Sequence, residues 1–516
     1  MMRVMIFSLT AMGTIFFCSS LFVDSYLVPK WMILAIGFIF WGIDTALHYV
    51  YPFKRYSIKF PYLIEVVIVS IVGLEACYGL LSIITSEKNS FSTLTGTFDN
   101  TAGFAVCLCA GFPYCLQLAT KKRRHKFLGI IVGIIITIAM IFSHSRTGIM
   151  SLSIVFSIWL WKYLRFSKEE RKYFFYFFSF LIVSLYWMKK DSADGRLLVW
   201  ICSMNMIKDN LLLGWGIGGF EAHYMDYQAS YFERNPNSHY AFLADSVQYP
   251  FNEYLNVLVS FGIIGILILL LWFIYLYYAY IRHPNDKKKY AILVWLEISI
   301  FATFSYPLMY PFVWLVLSYA TRNLLKDFYN LPPSYYRIVS VGLFIVCFWI
   351  ANRTYRQIKA ELLWSETVES SPTCQQNLII EKYKLVYSEL KTDRYFLYNY
   401  ATKLYLNNEF NTALIIALEC RALWADYDLE LLLAEIYKAK IDFINAEKHY
   451  RVAAYMCPNR FVPLYNIVLL LDKQGKRNEA KKMACSIFKK KVKIKSATVS
   501  FIKNEMTEYI NKHHGL

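Results

Sequence analysis

Apolar residues fill a series of runs along the first 350 positions, each about one membrane helix long and set apart by a short polar connection. The runs lie near 5–23, 31–50, 61–84, 101–118, 127–142, 148–161, 173–188, 255–280, 290–306, 308–321 and 336–351. A helix needs about 20 predominantly apolar residues to cross a bilayer. The pattern predicts an all-α fold: a polytopic transmembrane bundle of about 11 spans. Residues 189–254 are the only long loop between spans, and long loops inside compact domains are commonly functional. The run at 5–23 has the look of a signal peptide. No small-residue cleavage site follows it and another span comes next, so it reads as the first membrane helix.

Beyond residue 351 the chain becomes polar and charged, with apolar positions in helical period. LYNYATKLYLNNEFNTALIIALE (397–419), LLAEIYKAKIDFINAEKHYRVAAYMCPN (432–459) and LYNIVLLLDKQGKRNEAKKMACSIFK (464–489) resemble one another. Ala413, Ala446 and Ala480 stand 33 and 34 residues apart, and Pro458 closes one unit. That is the period of tetratricopeptide repeats, two helices each, which bury their apolar faces on their neighbours. The expected division is a membrane part, 1–351, carrying the loop 189–254, followed by an α-helical repeat domain, 352–516. Such a domain binds a partner or serves as a scaffold.

Composition supports the membrane reading: 57% of residues are hydrophobic and 18% aromatic, with a mean hydropathy of +0.35. Soluble domains average about 45–50% apolar. The net charge of +18 raises nucleic acid as a partner, but within the first 350 residues most basic side chains sit in short loops between spans. Lys54, Arg55, Lys59, KKRRHK (121–126), 162–172, Arg282, Lys287 to Lys289 and 322–337 alternate with connections whose short members hold only Lys30, Lys88 and Arg146. The basic set is expected on the cytoplasmic side. The N-terminus is then cytoplasmic, and 189–254 and everything after 351 are external, which is periplasmic if this is the inner membrane of a Gram-negative cell. No nucleic-acid motif appears. The cysteines show no metal-ligand spacing, and Cys18, Cys77, Cys107, Cys109, Cys115 and Cys347 fall in apolar runs as small hydrophobes.

Three outward stretches carry candidate chemistry. Arg146, in SHSRTG (143–148), lies at a membrane boundary where short external loops avoid arginine. It reads as a functional cation or as a snorkelling anchor. Arg196, in DGRLLVW (194–200), opens the long loop, and LLLGWGIGGF (211–220) follows with glycines at 214, 216, 218 and 219. A glycine-rich segment can turn backbone amides toward a phosphate or be a plain turn. Arginine's planar fork gives two parallel hydrogen bonds to phosphate oxygens and keeps its charge. A lipid diphosphate gains negative charge as its sugar departs, and fixed guanidinium groups stabilise it. The third stretch, HYAFLADSVQYPFNEYLN (239–256), holds His239, Asp245, Asn252 and Glu253. A carboxylate or imidazole can take the proton from an attacking hydroxyl. Asn252 and Glu253 read equally as a helix cap with a first-turn carboxylate.

Taken together, these segments resemble the O-antigen ligase and polymerase superfamily, closest to bacterial members with repeats after the last span. The stretches are GTFDNTAGFA (96–105), SHSRTG (143–148), GRLLVWICSMNMIKDNLLLGWGIGGF (195–220) and LADSVQYPFNEYLNVLVSFGIIG (243–265), in matching order across roughly 60–320. The resemblance implies a membrane glycosyltransferase without a nucleotide-sugar domain, a cofactor or a metal. Its donor would be an undecaprenyl-diphosphate-linked glycan. Its acceptor would be lipid A core, a growing glycan or a protein hydroxyl, reached on the external face of the bilayer. It assigns the diphosphate to Arg146 and Arg196 and matches Asn100 to a family asparagine. Two positions depart. Thr101 follows Asn100 where proline is common, and Phe251 replaces the histidine that precedes the junction asparagine in many ligases. The base is therefore not carried over: Glu253 comes first, then His239, with His223 and Asp245 behind.

Other classes compete. A transporter would use ionisable groups within spans, and Glu65, Glu75 and Glu297 fall in apolar runs, but no half-to-half repeat is present. A scaffold would use only its repeats. Removal of 352–516 is expected to separate the two, an enzyme core keeping some transfer.

Overall fold

The computed structural model describes residues 2–50, 62–85, 94–163, 172, 176, 190–328, 333–370 and 376–513. The span expected near 173–188 and the basic residues Lys54, Arg55, Lys59 and Lys88 lie outside the described residues. Regular structure among the described residues is helical, without strands. Helices α1 (Met2–Phe16), α2 (Leu27–Val50), α3 (Leu63–Thr85), α4 (Thr101–Ala119), α5 (Arg123–Phe142) and α6 (Arg146–Tyr163) come first. The long loop holds α7 (Lys190–Asp209) and α8 (Gly219–Arg234). Then follow α9 (Glu253–Arg282), α10 (Asp286–Ala302), α11 (Pro311–Leu325) and α12 (Pro333–Ser370). The C-terminal part holds α13 (Gln376–Leu390), α14 (Arg394–Leu406), α15 (Phe410–Leu423), α16 (Tyr427–Ala439), α17 (Phe443–Met456), α18 (Val462–Lys473), α19 (Arg477–Lys489) and α20 (Ala497–Lys512).

Among the described residues, six helices are long and apolar enough to cross a membrane: Leu27–Leu47, Leu63–Thr85, Thr101–Ala119, Arg123–Phe142, Glu253–Arg282 and Ile338–Ser370. Met2–Phe16 and Arg146–Trp161 are apolar but shorter. The runs at 290–306 and 308–321 become α10 and α11, only 17 and 15 residues long. Apolar runs overstate helix length because the backbone turns inside them: the run 5–23 stops being helical at Phe16.

Two units emerge. The first comprises Met1–Trp187, Phe251–Tyr254 and Ile268–Val368, and the second Met188–Pro250, Leu255–Leu267 and Glu369–Leu516. In the first, α4 is the central element, buried at every residue from Gly103 to Leu118 and packed by α3, α5, α6, α10 and α11. A helix that is apolar all round belongs in a core. By contrast α9 leaves Leu267, Ile268, Leu270 and Leu271 exposed, as suits a helix long and apolar enough to face lipid. The 38-residue α12 runs unbroken through residue 351, about 57 Å at 1.5 Å per residue.

In the second unit, α14–α15, α16–α17 and α18–α19 form successive antiparallel hairpins. Ala413, Ala446 and Ala480 are fully buried on the second helix of each, where a small side chain lets helices approach. Each hairpin turns through one left-handed residue: Asn408 (φ +61°), Ile441 (φ +62°) and Gly475 (φ +76°). Glycine and asparagine accept that conformation, whereas a β-branched residue is strained in it. A second core joins the long loop to the repeats. Leu198, Phe220, Tyr224 and Phe232 of α7 and α8 pack with Ala425, Tyr427, Ala453 and Met456.

Candidate functional site

In the first unit the sequence-selected residues are Asn100, Arg146, Asn252 and Glu253. Asn100 caps α4: its side-chain oxygen accepts from the amides of Ala102 and Gly103, both at 2.9 Å. Tyr310 donates its hydroxyl to the same oxygen at 3.0 Å. Thr101 is the first helical residue, a position where proline is favoured because its amide has no intrahelical partner. Threonine therefore leaves the cap intact. The preceding loop is pinned by two fully buried charges, Lys30 and Glu75. Lys30 donates to the Thr97 carbonyl at 2.6 Å, and Thr97 donates its amide and hydroxyl to Glu75 at 2.8 and 3.1 Å. Glu297 and Glu65, also within apolar runs, are engaged too. Glu297 accepts from the Ser151 hydroxyl at 2.9 Å, and Glu65 lies 3.3 Å from Lys287. These carboxylates anchor helices and loops to one another.

Arg146 is the first residue of α6, and Ser145 caps that helix by accepting from the Gly148 amide at 3.3 Å. A cation here faces the positive end of the helix dipole. Helix electrostatics therefore give no reason for an arginine, whereas an anion bound there would be favoured by both the guanidinium and the first amides.

Glu253 opens α9 and is 9% exposed. Its Oε1 accepts from the Leu308 amide at 3.1 Å. Phe251 holds a left-handed backbone (φ +52°), and its ring lies 5.8 Å from Tyr306, which stacks on Tyr310 at 6.3 Å. The turn 306–310 thus brings the Glu253 and Asn100 neighbourhoods together. Sequence reading did not single out this turn. Its signal was SYPLMYP (305–311), two prolines and two tyrosines at the junction of two short apolar runs.

In the second unit the candidates are Arg196, His223, His239 and Asp245. Arg196 is partly exposed on α7, beside the buried Leu198 and Val199. His239 opens a single 3-10 turn, His239–Phe242, and lies exposed with its ring 3.9 Å from Tyr240. Asp245 is taken up by structure: it accepts from Arg460 at 2.7 Å and from the Ser246 amide at 2.9 Å. His223, on α8, has its ring 4.4 Å from Trp215. Burial lowers its pKa; the Asp226 carboxylate opposes that shift and the Arg421 charge adds to it. His223 is therefore neutral at pH 7.

The glycine-rich segment does not form a phosphate cradle from residues 214–216. The Gly214 amide donates to Asn210, Trp215 to Val259 at 2.8 Å, and Gly216 to Ser260 at 2.9 Å. In return the Ile263 amide donates to Leu211 at 2.9 Å. The chain at 211–216 crosses α9 where that helix breaks at Gly262 (φ +61°). A Cβ on Gly262 would lie 2.2 Å from the Leu212 carbonyl oxygen, and one on Gly214 would lie 2.5 Å from the Ser260 carbonyl carbon. The two glycines permit this backbone approach, and the crossing satisfies amides and carbonyls that the broken helix frees.

Gln228 and Arg421 were also missed, and both tie α8 to the repeats. Buried Gln228 accepts from the Tyr224 hydroxyl at 2.7 Å and donates to the carbonyls of Asp245 and Met456 at 3.0 and 2.7 Å. Arg421 pairs with Asp226 and with buried Glu430, which His449 also contacts at 2.6 Å. Such pairings span up to 228 residues of chain and have no local signal. Among the described residues no group of three or more His, Cys, Asp or Glu is placed to hold a metal ion.

A search of curated proteins finds no match to the chain. Residues 130–270 contain Arg146, Arg196, His223, His239, Asp245 and the Asn252–Glu253 junction, and this segment matches the family described as O-antigen ligase.

Proposed function

We propose that the protein transfers a glycan from an undecaprenyl-diphosphate-linked donor to an acceptor hydroxyl on the periplasmic face of the inner membrane, as an O-antigen ligase-like enzyme. The observation that carries this reading is the family match over 130–270, which includes both arginines selected for phosphate chemistry. The acceptor oxygen attacks the anomeric carbon while a base takes its proton. The bond from that carbon to the diphosphate breaks, and undecaprenyl diphosphate leaves with the electron pair. Arg146 and Arg196 stabilise the growing charge on the diphosphate. Glu253 is the first candidate base and His239 the second. The linkage to diphosphate already activates the sugar, so neither nucleotide nor metal is required. In this reading the membrane part has about 11 spans with a cytoplasmic N-terminus, and 352–516 is a periplasmic tetratricopeptide-like domain. Polymerases and protein O-oligosaccharyltransferases share the donor chemistry and differ in acceptor.

The test is replacement of Arg146 or Arg196 by Ala or by Lys in the cell. Each change is expected to abolish surface glycan assembly at unchanged protein level, because lysine supplies the charge but not the planar fork. Normal glycan in both arginine variants would overturn the assignment.

A further inference from the structure

Within the second unit a cleft of about 510 Å3 opens between the segment leading into α8 and the repeat helices. One wall carries Trp215, Glu221 and His223; the other carries Asp393, Arg394 and Ala422. Small-molecule sites run from about 300 to 1,000 Å3, so the cleft can hold a short stretch of a chain ligand. The first wall lies inside the family-matched segment and the second in the repeats. Neither region forms the cleft alone.

Its chemistry is specific. Trp215 and His223 form an aromatic floor, rings 4.4 Å apart, and His223 has no hydrogen-bond partner among the described residues. Arg394 is held in place: it donates to Gln248 at 3.3 Å, approaches Glu221 at 3.8 Å, and lies over the rings of Tyr395 and Trp424. Tyr395 donates its hydroxyl to the same Gln248 oxygen at 2.7 Å. Asp393 caps α14 through the amides of Tyr395 and Phe396. Fixed donors and acceptors therefore ring an aromatic surface, the arrangement that suits hydroxyl groups on an otherwise apolar ring. The charged side chains include two carboxylates, Glu221 and Asp393, against one cation, Arg394. A phosphorylated or acidic ligand meets like charge here, which disfavours it.

We propose that this cleft binds the acceptor as a neutral sugar chain, and that the repeats serve the transfer by completing it. The proposal rests on the glycan-transferase reading and adds the acceptor's chemical class and its binding place.

The experiment uses the full chain in nanodiscs and two probes prepared from the same cells: the neutral surface oligosaccharide freed of lipid, and the phosphorylated core oligosaccharide. Calorimetry is expected to show saturable binding of the neutral probe and weaker binding of the phosphorylated one. Glu221→Gln and His223→Ala should each weaken binding about tenfold, the scale of one lost hydrogen bond to a charged or polar group. Ala422→Arg, at an exposed rim position, should remove binding while leaving the unfolding temperature unchanged; Leu423→Glu on the same rim repeats the test. In a transfer assay the rim variants should raise the acceptor KM and leave the donor KM alone. Unchanged acceptor KM in both rim variants, tighter binding of the phosphorylated probe, or no saturable binding would overturn the cleft assignment. Saturable binding by a wild-type chain that transfers nothing would instead defeat the transferase reading.

Discussion

The repeat hairpins of 394–489 and the loop helices of 190–234 share one unit, yet they are encoded differently. In the repeats every interface recurs, so the same residue type returns at the same place. Ala413, Ala446 and Ala480 are buried in phase, and the left-handed turns at Asn408, Ile441 and Gly475 keep the same spacing. The loop has no period. It is held by single contacts to distant chain: Gln228 to the Met456 carbonyl, Arg421 to Asp226, and Arg460 to Asp245. Periodicity makes the repeats readable as a separate domain. The shared core of Phe220, Tyr224, Tyr427 and Met456 shows that the loop and the repeats stabilise each other.

The sharpest way to break that comparison is truncation. From the sequence alone, an enzyme core is expected to keep some transfer after removal of 352–516. With Ala425, Tyr427, Ala453 and Met456 gone, the loop loses the apolar surface it packs on. The truncated protein is now expected to be cleaved within 190–250 by limited proteolysis and to lose transfer. A protease-resistant loop in the truncated chain would mean that it folds without the repeats.

Next in size is Arg421→Ala. It strips Glu430, 2% exposed, of one of its two partners and leaves His449. Breaking a buried pair from one side costs about 3–5 kcal/mol, read as a lower unfolding midpoint of the second unit. Arg421→Lys should cost less.

The same cluster sets a pH dependence. Burial pushes the Glu430 carboxyl up; the His449 hydrogen bond and the Arg421 charge outweigh it and hold the pKa below its ordinary 4.5. A depressed carboxyl stabilises the fold above its unfolded pKa, and that contribution is lost as the pH falls through the folded value. The second unit should therefore weaken below about pH 4.5. In Arg421→Ala the folded carboxyl rises toward its unfolded value, so this acid-dependent loss should shrink. Identical acid profiles for the two proteins would remove Arg421 from the account.

The smallest expected effect is a gain. Ile441 holds a left-handed backbone and is 74% exposed, so Ile441→Gly gives up little packing. It should stabilise the repeats by about 1 kcal/mol, the scale of the left-handed penalty for a residue with a Cβ. A decrease in unfolding temperature would show that the turn is set by something other than local strain.

These differences also show what the sequence carried. Helical class, the repeat period and the order of the family stretches are local properties, and each is visible in a window of tens of residues. The number of crossings is less so. Among the described residues six helices satisfy length and apolarity, and the helices formed by the runs 290–306 and 308–321 also pack on α4. Of the site, Asn100 and Glu253 could be named from motifs. The turn 306–310 that brings their neighbourhoods together could not, since the amide of Leu308 and the hydroxyl of Tyr310 act across 55 and 210 residues. The glycine segment was ambiguous for a related reason. A glycine is needed wherever backbone passes close to something, and only the fold shows that the something is α9 at Gly262 and not a phosphate.

The most direct test of the central claim is a transfer assay with purified components: the full chain in nanodiscs, an undecaprenyl-diphosphate-linked glycan as donor, and a neutral oligosaccharide acceptor. Release of undecaprenyl diphosphate and extension of the acceptor are followed together. The account predicts both products from the wild type, and neither from Arg146→Ala or Arg196→Ala at equal protein. Equal product from the wild type and both arginine variants, or donor consumption with no extended acceptor, would contradict it.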